Sequence, residues 1–397
     1  MHDSIRPVRL TRSRRAHLLA AGLLLSVVSV AGCTESSGTT AHGVATPAGS
    51  VSGCLLPQAF CYAPHVFRVA YGIQPLLDRG IDGRGETVTV VAAAPSPHAP
   101  AGQGGTDIRQ DLKALDSEFG QPAARIQVVT TLAGAASPWQ AGGEEVMNLE
   151  VVHAVAPAAT LRVVLLPSNV LNSAANSTAD MIAGLRLAVS NTDVTSISWS
   201  VGEHFFTKVQ VAEMNSILLG AAAHHVTVDA SSGDHGASSD HRWGSPVKEV
   251  SLPASDLLVL AVGGTMLAVN PVTGAYTGET VWGEASSQTG LAPGGGFSHL
   301  YARPAYQGGV PGISTTRGVP DVAGDAGQPG LPTVFASGGK TWIIPANGTG
   351  ASAPLWGGTH GAGRPVRPSR PRLRQPRHLP HRPQFQLPQG VSRHYYR

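Results

Sequence analysis

The sequence has few charged and few aromatic residues. Of its 397 residues, 13% are charged and 5% are aromatic, whereas 42% are hydrophobic and 48 are glycine. This hydrophobic content is enough for a large core and excludes a wholly disordered chain. After a removable leader, the length suits one large α/β domain or two domains of ordinary size.

Acidic residues are scarce at the start of the chain and absent from its last part. Residues 1–33 hold five Arg against Asp3 alone, and residues 359–397 hold nine Arg and no acid. The body between them, residues 34–358, has 14 basic and 24 acidic residues, a net charge of about −10 that the overall +3 conceals. Because binding to a phosphate backbone needs a basic face, we expect no nucleic-acid partner for this body.

The N-terminal residues have the pattern of an export signal. Arg6 to Arg15 precede an apolar run that ends at Cys33 and is too short to span a bilayer comfortably. Residues 30–33, Val-Ala-Gly-Cys, resemble a bacterial lipobox, in which Cys33 would carry the lipid; the alternative is an ordinary cysteine in a discarded signal. The pattern predicts a signal peptide over 1–33 and export to the outer face of the cytoplasmic membrane, the cell envelope or the medium. Membrane contact would come only from the lipid.

Only three cysteines are present. Residues 34–53 lack large apolar side chains and predict a flexible tether. Beyond it, Cys54 and Cys61 lie seven residues apart. In an exported protein this pair favours a small-loop disulfide over a metal site, which would need four ligands, so we predict the disulfide and no metal.

From residue 84 onward, apolar β-rich runs alternate with helical patterns. Apolar residues recur at helical spacing in 106–120, at Ile108, Leu112, Leu115 and Phe119. Strands without polar alternation, separated by helices, are typical of a parallel sheet with helices on both faces, and sites in such sheets lie at the carboxyl ends of strands. The predicted strands are 87–94, 126–132, 160–166, 194–200 and 226–232, and the other predicted helices are 143–155, 178–190 and 207–223.

Eight further segments occur in a characteristic order. They are CYAPHVFRVAYGI (61–73), GEEVMNLEVVHAVAP (143–157), SSGDHGAS (231–238), PASDLLVLAVGGT (253–265), GGGFS (294–298), RPAYQ (303–307), RGVPDVAGDA (317–326) and NGTGASAPLWGG (347–358). Together they resemble the sedolisins, serine-carboxyl peptidases with a subtilisin-like α/β fold. The resemblance covers residues 54–358, which we interpret as an incomplete peptidase domain. It implies a peptide or protein substrate and a monomer. Subtilisin itself is excluded, because the first strand gives Ala92 to Ala94 without an Asp.

The resemblance also assigns four positions of a catalytic site. In the family, a Ser attacks the peptide carbonyl, a Glu takes its proton, an Asp holds the Glu, and a second, protonated Asp donates to the oxyanion. Glu144 falls at the base, Asn148 at the orienting Asp, Asp234 at the oxyanion Asp and Gly350 at the nucleophile. Asn148 cannot share a proton or a charge with Glu144, and Gly350 has no side chain. Two of the four catalytic positions therefore hold residues that cannot perform the role the family assigns to them.

The nearest hydroxyls are not expected to replace the nucleophile. Ser352 is two residues further along the predicted helix, a rotation of about 200° that turns it away from the site. Thr349 precedes that helix and would also be misdirected.

The last 39 residues, 359–397, have neither a helical nor a strand period and contain no Asp, Glu, Lys or Ile. We expect them to be a disordered basic tail. The family would have a helix, a strand and a calcium loop here, so its C-terminal calcium ligands are absent and no cofactor is expected. A shifted reading of the codons permits LMALADQYARHDLGFVNPAIYRIG and AFHDITT, which resemble the missing part. We therefore interpret the tail as a frameshifted reading and the C-terminal part of the fold as missing or scrambled.

The sequence thus predicts an exported sedolisin homologue that is catalytically inactive. One alternative is an active acid serine-type endopeptidase. Another is a surface protein that binds peptides, or that binds nucleic acid or the envelope through its basic tail. A peptide groove would use the edge strands near 196–200 and 294–298, where backbone groups pair with an extended peptide. Ser200 stands where the family often has a glycine after Trp199.

Overall fold

The computed structural model describes residues 61–93, 105–130, 140–141, 143–167, 173–238, 247–270, 272–283, 291–313 and 315–363. The predicted signal peptide with Cys33, the tether, Cys54 and residues 364–397 lie outside these ranges. Cys61 is disulfide-bonded.

Seven α-helices and sixteen strands occur in the described residues. The helices are α1 (Pro64–Ala70), α2 (Gln74–Leu77), α3 (Ile108–Phe119), α4 (Gly143–Val155), α5 (Ala174–Ala188), α6 (Lys208–Ala223) and α7 (Thr349–Gly363). The strands are β1 (Thr87–Ala93), β2 (Thr106–Asp107), β3 (Arg125–Thr130), β4 (Gln140–Ala141), β5 (Thr160–Leu166), β6 (Val194–Ile197), β7 (Val201–Gly202), β8 (Thr227–Ser231), β9 (Ser251–Leu252), β10 (Leu260–Val269), β11 (Tyr276–Val281), β12 (Gly296–Ala302), β13 (Thr316–Val319), β14 (Val322–Asp325), β15 (Pro332–Ser337) and β16 (Lys340–Pro345).

The main sheet confirms the predicted α/β class. Its strands follow the order β11-β10-β8-β6-β1-β5-β3, with β14 also paired to β10. All of these pairs are parallel except β10 with β11. The five predicted strands are β1, β3, β5, β6 and β8, which pair in parallel. The apolar residues of β5 and β6 are buried on both faces of the sheet, whereas those of the edge strand β3 are half-buried. Among the described helices, none has the length and apolar character that a bilayer crossing needs.

The helix boundaries follow capping residues more closely than apolar spacing. The Asp107 side chain accepts a hydrogen bond from the backbone N–H of Arg109, so α3 begins at Ile108 rather than at 106. Likewise, the Ser173 hydroxyl accepts from the backbone N–H of Asn176, and α5 begins four residues before the predicted 178. Thr207 forms a capping box with Gln210, which places the start of α6 within one residue of the prediction.

Helix α7 corrects the predicted end of the domain. It continues through residues 359–363, which were expected to begin a disordered tail, and it buries Gly361 and Ala362. The helix approaches its neighbours closely because its contacting residues are small. A Cβ at Gly358 would lie 2.4 Å from Cγ2 of Val155, and one at Gly361 would lie 2.6 Å from Cγ2 of Val88. Spacing of large apolar residues cannot detect such a contact face.

Four carboxyl groups are buried in the core and have raised pKa values, with burial as the largest cause. The pKa of Asp325 is raised to about 8 and that of Asp111 to about 6. Burial also raises the pKa values of Glu150 and Asp229 well above the ordinary range. Each group accepts a hydrogen bond, such as that from Leu267 N to Asp325 Oδ1 at 2.9 Å. The core therefore favours protonated carboxyl groups.

We expect the free energy of unfolding to fall as the pH rises from about 4 to 8. The unfolded chain releases these protons near pH 4, whereas the folded state holds them to a higher pH, so deprotonation favours unfolding. Urea denaturation at a series of pH values measures this slope. Asp325→Asn, which does not titrate, should flatten it above pH 4, and a wild-type stability that rises with pH over this range would contradict the expectation.

The close packing of α7 leads to a second prediction. Gly358→Ala should destabilise the fold by about 1–3 kcal/mol, because the added methyl group overlaps Val155 and lies 3.2 Å from the backbone of Val152. Gly220→Ala is the matched control, since a Cβ there meets nothing within 4 Å and should stabilise α6 by up to about 1 kcal/mol. Equal effects of the two changes in urea denaturation would refute the packing argument.

Candidate active site

Helix α4 carries the predicted base and the residue that would orient it. Glu144 is in the first turn, where the positive end of the helix dipole favours a carboxylate, and its side chain is exposed. Asn148, four residues on, projects from the same face and is 1% exposed. The buried Oδ1 of Asn148 has no hydrogen-bond partner. The Asn148 side-chain oxygen is therefore removed from water without gaining a hydrogen bond within the protein.

The loop after β8 carries Asp234 and meets the start of α7. Asp234 Oδ1 accepts hydrogen bonds from the Thr349 backbone N–H at 2.9 Å and from the Thr349 hydroxyl at 2.7 Å. Gly348 precedes this contact with φ +80°, and a Cβ there would lie 2.9 Å from Asp234 Oδ2. A glycine is thus required at 348 for two reasons, the left-handed backbone and the approach of the carboxyl group.

Gly350 faces Glu144. A Cβ at residue 350 would lie 3.2 Å from Glu144 Oε1 and 3.6 Å from Ser198 Cβ. The Ser198 hydroxyl donates to the Gly350 carbonyl oxygen at 2.9 Å and so fixes the backbone at this point. Three positions that are far apart in the sequence, Glu144, Asp234 and Gly350, therefore meet at the N-terminus of α7.

A second glycine-rich segment lies against the Asp234 loop. The backbone N–H of Gly294 donates to the Gly233 carbonyl oxygen at 2.6 Å, and that of Gly295 donates to Gly236 at 3.0 Å. A Cβ at Gly294 would lie 2.0 Å from the Ser232 carbonyl oxygen. The GGGFS segment is thus packed backbone to backbone beside Asp234, at the carboxyl end of β8.

Curated proteins similar to this chain are peptidases by name. The chain is 31% identical over 288 residues to kumamolisin of Bacillus sp. (strain MN-32), a match that covers 70% of this chain and 48% of that protein. It is 38% identical over 143 residues to sedolisin of Pseudomonas sp. (strain 101), covering 35% of this chain and 24% of that protein. The chain belongs to the sedolisin family.

Further matches extend this finding. Tripeptidyl-peptidase 1 of Rattus norvegicus is 26% identical over 263 residues, covering 64% of this chain and 44% of that protein. The solved structure of Pseudomonas sedolisin, complexed with two molecules of pseudo-iodotyrostatin, has a TM-score of 0.61 at 24% identity and covers 79% of this chain and 81% of that one. This likeness shows that the fold is that of sedolisin. The chain spans about half the length of kumamolisin, and less of the other two curated relatives. No protein-family model matches it.

The neighbouring hydroxyls in this sedolisin-family site are engaged elsewhere. Ser352 is fully buried and donates to the Gly263 carbonyl oxygen at 2.8 Å, so it faces β10 as the helical rotation predicts. Thr349 is 1% exposed, and its hydroxyl accepts from the Gly233 N–H at 3.2 Å while lying against Asp234. Burial keeps both hydroxyls from a bound peptide.

Three contacts of the site were missed by sequence reasoning. Ser198 lies just beyond the carboxyl end of β6, a position that should have drawn attention in a parallel sheet. Met147 lies on α4 with its Cε 3.7 Å from a Cβ at Gly350. The bond between Thr349 and Asp234 has no sequence signal, since it joins residues more than a hundred positions apart.

Within the described residues, no cluster of three or more His, Cys, Asp or Glu is placed to hold a metal ion.

The bond between Thr349 and Asp234 should be measurable by a double-mutant cycle. We expect a coupling energy of about 1 kcal/mol between Thr349→Val and Asp234→Ala in urea denaturation, because both changes remove the bond from the Thr349 hydroxyl to Asp234 Oδ1, whereas the backbone N–H bond is lost only with Asp234→Ala. Ser352→Ala is the control: it removes a buried hydroxyl with no partner in common with Asp234 and should be additive with Asp234→Ala to within about 0.5 kcal/mol. Additivity for the Thr349 pair would show that the Thr349 hydroxyl does not help to hold Asp234.

Proposed function

We propose that this protein is an exported sedolisin-family homologue that binds peptides at the Gly350 site and forms no acyl-enzyme there. The observation that carries the proposal is the position of residue 350. Its side chain would point at the Glu144 carboxylate from 3.2 Å, yet the residue is glycine and supplies no nucleophilic oxygen. Covalent catalysis needs a nucleophile within reach of its base, so the first bond of acyl transfer has no atom to form it.

The second substitution acts on Glu144. An Asp at 148 would hold a negative charge or share a proton with the Glu144 carboxyl group, whereas Asn148 is neutral and buried. In a Ser-His-Asp triad, the corresponding change of Asp to Asn lowers turnover about 10⁴-fold. Both substitutions affect proton transfer and bond formation, and neither one removes the backbone that would bind a peptide.

Peptide binding is supported by the edges around the site. Residues 198–200 continue beyond β6 without strand pairing, and β12 begins at Gly296, next to the GGG segment that packs on the Asp234 loop. Phe297 on β12 is 51% exposed, which leaves an apolar side chain for a bound ligand. An extended peptide can pair with such edges through main-chain hydrogen bonds. The names of the relatives, which are peptidases, favour the same ligand class.

Export is supported by the N-terminal pattern and by Cys61. The basic and apolar segments of residues 1–33 have the order of a signal peptide, with Cys33 at a lipobox. Cys61 is disulfide-bonded, and disulfides persist mainly in oxidising compartments outside the cytosol. We propose the outer face of the cytoplasmic membrane or the cell envelope as the location.

The proposal is tested by separating binding from turnover. Fluorescence anisotropy with labelled peptides from a casein digest should detect saturable binding between about pH 3 and 6, while mass spectrometry of the same peptides should show no cleavage. Gly350→Ser combined with Asn148→Asp should introduce cleavage that disappears when Glu144 is also changed to Gln.

The matched control is Gly220→Ser with Asn148→Asp, which adds a hydroxyl on the open face of α6 and should remain inactive. Cleavage by the wild-type chain with a trapped acyl-enzyme would refute the proposal and support an active acid endopeptidase. Absence of saturable binding, or binding that is lost only when residues 364–397 are deleted and that depends strongly on salt, would also refute it.

A further inference from the structure

We propose that Glu203 is a positioning residue for peptide binding, because its buried carboxylate holds β12 where a neighbouring strand would otherwise do so. The ligand class is an extended peptide with an apolar side chain that packs against Phe297. This inference deepens the proposed function and rests on it, since a peptide must first be bound between the edges at 198–200 and at β12.

The Glu203 carboxylate joins these two edges. Glu203 follows β7, which continues the segment 198–200, and the residue is 2% exposed. Its Oε1 accepts a hydrogen bond from the Ser298 hydroxyl at 2.6 Å, and its Oε2 accepts one from the His299 backbone N–H at 2.7 Å. Such short bonds to a carboxylate are stronger than bonds between neutral groups. One side chain therefore sets the separation of the two edges.

The same bonds replace part of the ladder between β12 and β13. The register of the two strands is interrupted after Phe297. In the interrupted stretch, the backbone N–H groups of Leu300 and Tyr301 donate to Ser298 Oγ at 3.0 Å each. Because the Ser298 hydroxyl in turn donates to Glu203, the carboxylate supports three backbone N–H groups of β12, one directly and two through Ser298.

Phe297 is the residue that this network presents to a ligand. Its ladder partner, Gly318, donates its N–H to Gln307 Oε1 at 2.9 Å and accepts from Gln307 Nε2 at 2.8 Å. Phe297 and Gly318 therefore form a pair without mutual hydrogen bonds, and the backbone N–H and C=O of Phe297 are directed to the opposite edge of β12. The Phe297 side chain is also exposed. Both its main chain and its ring are thus available to an extended peptide, immediately before the anchored Ser298.

Fluorescence anisotropy with the tightest-binding labelled peptide of the casein digest tests the inference. Phe297→Ala should weaken binding about tenfold in the wild-type chain, because it removes a direct contact. Glu203→Ala alone should weaken binding to about the same extent, and in that background Phe297→Ala should cost less than about threefold, because Phe297 is no longer held in place. Ser298→Ala is a smaller change with the same expected effect, and it keeps the test possible if Glu203→Ala does not fold.

Glu150→Gln is the matched control. Glu150 is 1% exposed and also accepts a backbone N–H from a distant element, but its partner is Val334 on β15. This change should leave both the peptide affinity and the effect of Phe297→Ala as they are in the wild type. An equal loss of affinity with Glu150→Gln would show an effect of general stability and would overturn the inference.

Two further outcomes separate this inference from the proposed function. If peptides bind the wild-type chain but Phe297→Ala has no effect, or costs the same with and without Glu203 and Ser298, the inference is overturned and the proposed function stands. If no peptide binds the wild-type chain, the proposed function itself has failed.

Discussion

The contact of the Asp234 carboxyl group with Thr349 determines the geometry of the whole site. It joins the carboxyl end of β8 to the first residue of α7, and the left-handed turn at Gly348 is what lets the chain reach it. Once α7 begins there, the helical rotation directs residue 350 towards Glu144 and Ser352 towards β10. The contact at Thr349 therefore fixes the orientation of residue 350, the predicted position of the nucleophile.

Because of this separation, the shape of the site does not depend on a side chain at residue 350. The contacts that hold the segment use the Thr349 side chain, the Thr349 backbone N–H and the Gly350 carbonyl oxygen. None of them uses a side chain at 350. A glycine at that position costs the helix some propensity but removes no hydrogen bond from the scaffold. The fold of this segment therefore does not depend on a side chain at 350, which is compatible with the proposed binding of peptides without acyl transfer.

Sequence reasoning predicted the elements whose signal is local. Apolar β-rich runs placed β1 and β5 within one residue, and the pattern of 143–155 coincides with α4. The prediction was less accurate where contacts with residues distant in the sequence determine where an element ends. Helix α7 continues to Gly363 because glycines fit against Val88 and Val155, and a run of small residues carries no periodic signal. The positions of Glu144, Asp234 and Gly350 came from family resemblance, whereas the supporting Ser198 and the bond between Thr349 and Asp234 needed coordinates.

Acidic conditions suit this core for reasons that do not depend on catalysis. Asp229 lies under α7 with one oxygen bonded to Ser196 and the other without a partner, facing Gly357 at 2.9 Å from the position of a Cβ there. As a carboxylate, Asp229 would place an unpaired negative charge between the sheet and α7. The protonated group is neutral. The preference for acidic conditions is therefore a property of the core itself, set by the burial of Asp229 and of the other carboxyl groups with raised pKa values.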